Sequence, residues 1–360
     1  MIGCLTVISV IGVLSAFFAY LMPKTKNNKI IYLVLCAVTI ILQMGLRDGT
    51  IQLSETGDVV VYFTNCKNAL DYSFVEYLAT LKKDYGYYIL NWLIAHIFRE
   101  PQVILFVVPT IICFFSFRFI YKYSDNVYLS VILFFTLGFY GFALTAFRQS
   151  IAMAICLWAY DYVKKKKIIP FILITLLAAS FHQTAIIFLP VYVIGRIKLT
   201  EKNVIIYTAL LAVAFLFGNI FVDFFNKVFN MDYGKEEVES LTGRIKDFTI
   251  FFIVFGLLYL SLKGKNPEER LLLKSKTDSL TFILMTGVMF YALQFKVLIA
   301  FRIAKYFIDA INYVLIANVT ESFKDKTMSK VFKACFIIFS VLLFFISISR
   351  NNLYEYVYII

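Results

Sequence analysis

A chain of 360 residues that is 61% apolar and 16% charged, with mean hydropathy +0.80, lies outside the range of water-soluble folds. A soluble enzyme, a disordered scaffold and a secreted disulfide-rich module are excluded, since none keeps so much apolar surface from water. The formal charge of +12 does not point to nucleic acid, because Lys and Arg are spread through short loops between apolar runs and form no single patch.

Apolar runs approaching the ~20 residues a bilayer demands lie near 2–22, 30–46, 102–121, 127–145, 203–222, 280–298, 303–319 and 331–348, with shorter ones at 149–163, 168–180, 183–195 and 248–262. The expected fold class is therefore all-α: a polytopic integral membrane helix bundle of about twelve spans (10–13), one transmembrane domain over 1–360. The run 2–22 lacks a basic leader and a small-residue cleavage site, so it is expected to be a retained helix. Tyr87 to Phe98 is apolar but short, carries Asn91 and His96, and ends at Arg99-Glu100-Pro101, which predicts a re-entrant or interfacial helix within an external segment 47–101. A second external loop is expected at 223–247. The six cysteines form no CxxC pair, so neither a disulfide nor a metal site is expected.

One more or one fewer crossing inverts every loop downstream, so the positive-inside rule tests the count. With 87–98 kept on one side, the basic groups at Lys24–Lys29, Arg118/Lys122, Lys164–Lys167, Arg196–Lys202, Lys263–Lys276 and Lys324–Lys333 all face the cytoplasm, and both termini lie outside. The tetralysine at 164–167 dominates this choice.

Isolated polar groups then meet at the outer face: Arg47, Asp58, Arg148-Gln149, His182-Gln183, Arg244 and Arg302. A guanidinium near hydrocarbon is costly unless it reaches the interface, an acid or a watery cavity. Several on one face make an anionic site, and the planar fork of Arg suits diphosphate. Each has a plainer reading: Arg47 and Arg302 as interface anchors, Asp58 as a turn residue after Gly57, His182 as a helix–helix hydrogen-bond partner. No Walker A, GxGxxG, HExxH or paired-acid motif is present.

The tract Phe147-Arg148-Gln149-Ser150-Ile151-Ala152, followed by Ala178-Ala179-Ser180-Phe181-His182-Gln183-Thr184-Ala185, resembles the paired signature of the EpsG family, Wzy-like polymerases of bacterial capsule, exopolysaccharide and O-antigen. Looser matches are Arg47 with Gly57-Asp58 and Tyr62, Glu76 with Tyr85-Gly86-Tyr87-Tyr88-Ile89-Leu90-Asn91, and Arg302-Ile303-Ala304-Lys305-Tyr306-Phe307. The resemblance implies a multi-pass glycosyltransferase of the cytoplasmic membrane that joins undecaprenyl-diphosphate-linked oligosaccharide repeats at the outer leaflet, beside a flippase and a chain-length regulator, without metal or cofactor. On that reading His182, Arg148 and Asp58 are catalytic, with Asp58 or Glu76 as the alternative base. Arg148, Arg302, Arg47, Arg244, Gln149, Tyr306 and Glu76 bind the diphosphate or the rest of the substrate.

Two rivals fit the composition: a lipid-linked oligosaccharide flippase or other transporter, and a membrane O-acyltransferase. The chain shows no half-to-half similarity of the kind carriers often carry. An acyltransferase wants a buried His with an acid partner, and none stands near His182 in sequence.

Overall fold

The computed structural model describes residues 2–50, 58–218, 220, 227, 241–263, 265–294, 300–309 and 311–350, with 2, 241–248, 349 and 350 as backbone alone. Regular structure among them is helical. The chain enters through α1 (Ile2–Ala16), prolonged by a π-helical stretch Phe17–Leu21, and returns along α2 (Lys26–Gly45). A hydrophilic passage follows with α3 (Val59–Asn68), α4 (Phe74–Thr80) and α5 (Tyr85–Phe98). Next come α6 (Ile104–Tyr123), α7 (Val127–Thr136), the short α8 (Phe139–Ala143), α9 (Phe147–Lys164) and α10 (Ile168–Phe181). A 3₁₀ stretch Gln183–Phe188 and α11 (Val191–Ile194) lead into α12 (Glu201–Leu216). The last part holds α13 (Leu241–Lys263), α14 (Pro267–Leu293), α15 (Ala300–Ile308), α16 (Asn312–Glu321) and α17 (Lys326–Arg350).

Local chemistry sets these boundaries. Side chains of Thr25, Asn126 and Thr200 cap α2, α7 and α12, and Asn266 with Glu269 forms a capping box ahead of Pro267 at α14, satisfying backbone donors that a first turn leaves orphaned. The packed centre is α9, whose side chains are nearly all buried against α6 and α10. Its small residues Ser150, Ala152, Ala154 and Ala159 let neighbours approach closely.

Among the described residues four helical stretches are long and apolar enough to cross a bilayer: Gly3–Leu21, Lys26–Gly45, Pro101–Tyr123 and Lys326–Ile348. The runs expected at 203–222 and 280–298 pass into residues outside the described ones, and the other remaining apolar runs are shorter or interrupted. The run expected at 127–145 breaks at Gly138, whose φ of 111° suits glycine. That expected at 303–319 divides between α15 and α16. The stretch 168–195 is not one helix: α10 stops at Phe181, and His182 turns extended (φ −153°, ψ 114°). Outward apolar side chains such as Ile169 and Leu216, 69% and 70% exposed, are what a hydrocarbon solvent accommodates and water does not.

Contacts define two ends of the bundle. At one, Asp161 near the end of α9 takes Arg118, Lys122 (2.8 Å) and the Tyr123 hydroxyl (2.6 Å). There too Lys276 pairs with Asp125 (2.7 Å), Lys333 with Glu321 (2.8 Å), and Lys164 donates to the Ser275 carbonyl (3.0 Å). Lys24 is within electrostatic reach of Glu321, and Lys198 of Asp278. Members of all six basic groups singled out in the sequence thus share one end. The other end carries Arg47, Asp84, Arg148 and His182. Both flanks of α5 bond there, Asp84 to Arg148 (2.8 Å) and Gln102 Nε2 to the carbonyls of Gly45 (2.8 Å) and Arg47 (2.5 Å).

Candidate active site

Asp84 organises this second end. It precedes α5 as its N-cap residue, in the left-handed region (φ 56°, ψ 37°) that Asp tolerates better than most side chains. Aspartate in that position usually accepts a hydrogen bond from its own first turn. Here the carboxylate makes no such cap and reaches across to α9 and α10. Oδ2 accepts from Arg148 Nη1 at 2.8 Å and faces His182 Nδ1 at 3.4 Å, and Oδ1 accepts from the Gln183 backbone N–H at 3.0 Å. The crossing requires Gly86: a Cβ there would lie 2.4 Å from Ser180 Oγ and 3.1 Å from the Ser180 carbonyl carbon.

Burial opposes ionisation of Asp84 and is the largest influence. The His182 hydrogen bond and charge, the Gln183 N–H and Arg148 together outweigh it and hold the carboxyl below its ordinary value. An ionised carboxylate only accepts, so when the ring is neutral the contact assigns its proton to Nδ1 and leaves Nε2 with a lone pair. The Asp84 side chain is 1% exposed, whereas Arg148 keeps 30% and His182 16%. The acid is sealed and its partners are open.

Tyr62 of α3 completes one wall. It stacks on Phe147 at 4.6 Å with rings 8° apart, edges onto Tyr87, and places its hydroxyl within reach of Arg148 and Asp58. Burial pushes that hydroxyl up to about 12, so it stays a neutral donor. Asp58, at the start of α3, lies within electrostatic reach of Arg302 and Arg148. Crowding by protein raises its carboxyl, against the pull of Arg302, Arg148 and Tyr62. The residue is open to solvent on its other side, which limits the rise.

The separate motifs are stitched together. Gln149 Nε2 donates to the Arg302 carbonyl at 2.7 Å, and Thr184 Oγ1 meets the buried Tyr306 hydroxyl at 3.0 Å. The first pins the start of α9 to α15, and the second pins the 3₁₀ stretch to α15. Gln149 and Tyr306 therefore hold the frame, while Arg148, His182 and the exposed Arg302 keep accessible side-chain surface. No side chain caps α9, so the positive end of its dipole joins the guanidinium of Arg148.

Other expected residues sit elsewhere. Arg47 is 2% exposed; its Nε and Nη1 donate to the carbonyls of Met44 and Leu144 (both 3.1 Å), and its guanidinium lies 6.0 Å from the Phe147 ring. It supports the wall behind Phe147. Glu76 is exposed, and its Oε2 accepts from the Ser73 N–H (3.0 Å) and Ser73 Oγ (2.6 Å) in a capping box. The side chain of Arg244 and most of the expected loop 223–247 lie outside the described residues. Asp84 was missed in sequence, where Lys82-Lys83-Asp84 looks like a solvated turn. It also corrects one inference: His182 does have an acid partner, 98 positions away in the chain.

The model of the EpsG family matches residues 50–358. The chain belongs to the EpsG family. Membership makes it a membrane protein of the Wzy-like polysaccharide polymerase kind, and of the motifs that carried the resemblance the fold gathers those of Arg148, His182, Asp58 with Tyr62 and Arg302 with Tyr306 near Asp84, while Arg47 and Glu76 stand apart. Arg47 falls just before the matched region of the EpsG model. No curated protein and no solved structure matches the chain.

Proposed function

We propose that this EpsG-family protein polymerises undecaprenyl-diphosphate-linked oligosaccharide repeats into capsular or extracellular polysaccharide at the outer face of the cytoplasmic membrane. The observation that carries the reading is the Asp84 cluster: one sealed carboxylate holds a guanidinium and an imidazole side by side at the end of the bundle opposite the lysines. By the positive-inside rule the lysine end is cytoplasmic, so the cluster opens outward. Interrupted runs such as α7–α8 and α15–α16 count as single crossings on this reading, which keeps about twelve spans. The segment 47–101 then covers the outer mouth, and a flippase and a chain-length regulator are its working partners.

The reaction needs a group to hold diphosphate as it gains negative charge, and a group to take a proton. Arg148 and Arg302, with the open start of α9, grip the diphosphate. The acceptor hydroxyl oxygen attacks the anomeric carbon of the growing chain's reducing-end sugar. The bond from that carbon to the diphosphate oxygen breaks, its electron pair stays on the diphosphate, and the hydroxyl proton passes to His182 Nε2, with Asp58 as the alternative acceptor. The donor set around the opening is cationic, and its one sealed carboxylate is already shared among three donors, a composition suited to an anion more than to a divalent cation.

Purified protein in vesicles containing the lipid-linked repeat tests the proposal. Glycans longer than one repeat, formed by wild type and absent with Arg148→Ala, are expected. Relocation of the repeat across the bilayer without elongation overturns it in favour of a flippase, and acyl incorporation from an added donor overturns it in favour of an acyltransferase.

A further inference from the structure

The helices α12 and α13 both lean on α14 and make little contact with each other. Between them lies an open cleft of about 550 Å³, within the roughly 300–1,000 Å³ of small-molecule sites. Its walls are apolar: Val204 and Ile205 from α12 face Leu258 and Tyr259 from α13. The same helices turn bare apolar side chains outward, with Ile205 69% and Tyr259 64% exposed. The mouth is different. Lys263, Arg270 and Lys274 line it against one acid, Glu201, and none of the three cations is ion-paired among the described residues. Arg270 Nη2 donates to the Lys263 carbonyl at 3.2 Å, which fixes one guanidinium edge at the rim. The mouth lies at the lysine end, beside the Lys265 contact to Ser322 and the Lys276–Asp125 pair.

We infer that this cleft binds a glycerophospholipid with an anionic headgroup, its acyl chain between α12 and α13 and its phosphate against Lys263, Arg270 and Lys274. Two arguments meet here. A gap between membrane helices that opens to the bilayer is filled by hydrocarbon, because neither vacuum nor water is stable against such walls. Cations without an ion-pair partner among the described residues, Lys274 with Asp278 in electrostatic reach, then select at the level of the headgroups which lipid fills it, as basic pockets between helices on the cytoplasmic side do. The inference does not depend on the polymerase reading, because the cleft is at the opposite end from the Asp84 cluster.

Spin-labelled lipids in vesicles containing the purified protein measure the selection. Phosphatidylglycerol is expected to be retained roughly tenfold more strongly than phosphatidylcholine, the order set by one to two effective cations beside an anionic headgroup. The triple variant Lys263→Gln, Arg270→Gln, Lys274→Gln should bring the two lipids close to parity, while Arg148→Ala keeps the preference. Equal retention of both lipids by wild type overturns the inference, as does an unchanged preference in the triple variant. Should the triple variant fail to fold, Tyr259→Trp in the otherwise intact chain reads the same site: its fluorescence must be quenched more by acyl-brominated phosphatidylglycerol than by brominated phosphatidylcholine. Displacement of phosphatidylglycerol by an equimolar polyprenyl phosphate would also overturn it, assigning the cleft to the lipid carrier.

Discussion

Asp84 and Asp161 stand at opposite ends of the bundle, and each is a sealed carboxylate shared among three donors. Their side chains are 1% and 2% exposed. Asp161 holds Arg118, Lys122 and Tyr123, all permanent donors at neutral pH, and so acts as a staple between the end of α6 and α9. Asp84 holds Arg148, a backbone N–H and an imidazole. The imidazole alone has a second nitrogen able to take a proton, and the guanidinium beside it remains open to a ligand. Equal burial and equal coordination therefore give a strut in one case and the frame of a reactive site in the other; the chemistry of the partners decides.

The largest separation between the two should come from removing each charge while keeping its shape. Asp84→Asn leaves an amide that no longer fixes the His182 proton on Nδ1 or balances Arg148, and elongation is expected to fall by on the order of 10²–10⁴. Asp161→Asn should lower thermal stability in detergent and leave elongation per folded molecule nearly intact. In unfolding assays both are destabilising. Asp84→Ala is expected at about 1–3 kcal/mol, below the value for fully buried pairs because Arg148 reaches solvent. Equal activity losses at the two aspartates would erase the distinction drawn between the ends.

Arg148 comes next. Arg148→Ala should cost about 3–4 kcal/mol of transition-state stabilisation, on the order of 10²–10³ in rate. Arg148→Lys should be nearly as poor, since an ammonium replaces neither the paired donors to phosphate nor the link to Asp84. At the lysine end Lys122→Arg should be silent. An Arg148→Lys protein that elongates normally would reduce the fork to a point charge.

What the sequence made legible was the chemistry that stands in short contiguous stretches. Arg148 and His182 each interrupt an apolar run, and an unneutralised charge in such a run is visible without a structure. Asp84 was hidden because, next to Lys82 and Lys83, it has an ordinary explanation, and its real partners are 64 and 98 residues away. The span pattern was readable as alternation of apolar and basic segments, but hydropathy does not register a break such as Gly138 or His182, where helices stop part-way. Arg47 was visible as a charge while its role was not, because carbonyls of Met44 and Leu144 carry no signature in sequence.

Gly86 sharpens the comparison from the backbone side. Gly86→Ala must move either Ser180 or α5, and the Ser180 carbonyl carbon at 3.1 Å from the new Cβ is not free to yield. Because misplacement by about 1 Å can cost up to 10²-fold, elongation should fall by about ten- to a hundredfold with little loss of folded protein. Full activity in this variant would mean that Asp84 tolerates displacement. Acidification probes the same contact. The folded Asp84 carboxyl lies below its ordinary value, with His182 and Arg148 as the charged groups facing it. Its contribution to stability is therefore complete above the unfolded value near about 3.9 and disappears only as pH falls through the lower folded value. Unfolding temperature should be insensitive to Asp84→Asn-type pH effects from neutrality down to about pH 5, and the wild type should lose its margin over the variant only in stronger acid.

The smallest effect is expected at Glu76, and it tests why acids in one hydrophilic segment diverge. Glu76, Asp84 and Asp58 all stand at helix starts, where a carboxylate ordinarily satisfies orphaned N–H groups. Glu76 does so: its Oε2 is taken by Ser73 N–H and Oγ, and the short α4 begins there. Asp84 and Asp58 make no cap to their own helices, so their oxygens are available to α9, α10 and the arginines. Glu76→Gln retains a side chain that can accept from Ser73, and so should leave elongation unchanged and shift the unfolding temperature only slightly, whereas Asp58→Asn should depress elongation. A strong loss of activity in Glu76→Gln would mean that its carboxylate leaves the cap to meet substrate, and would make the external segment a moving part of the site.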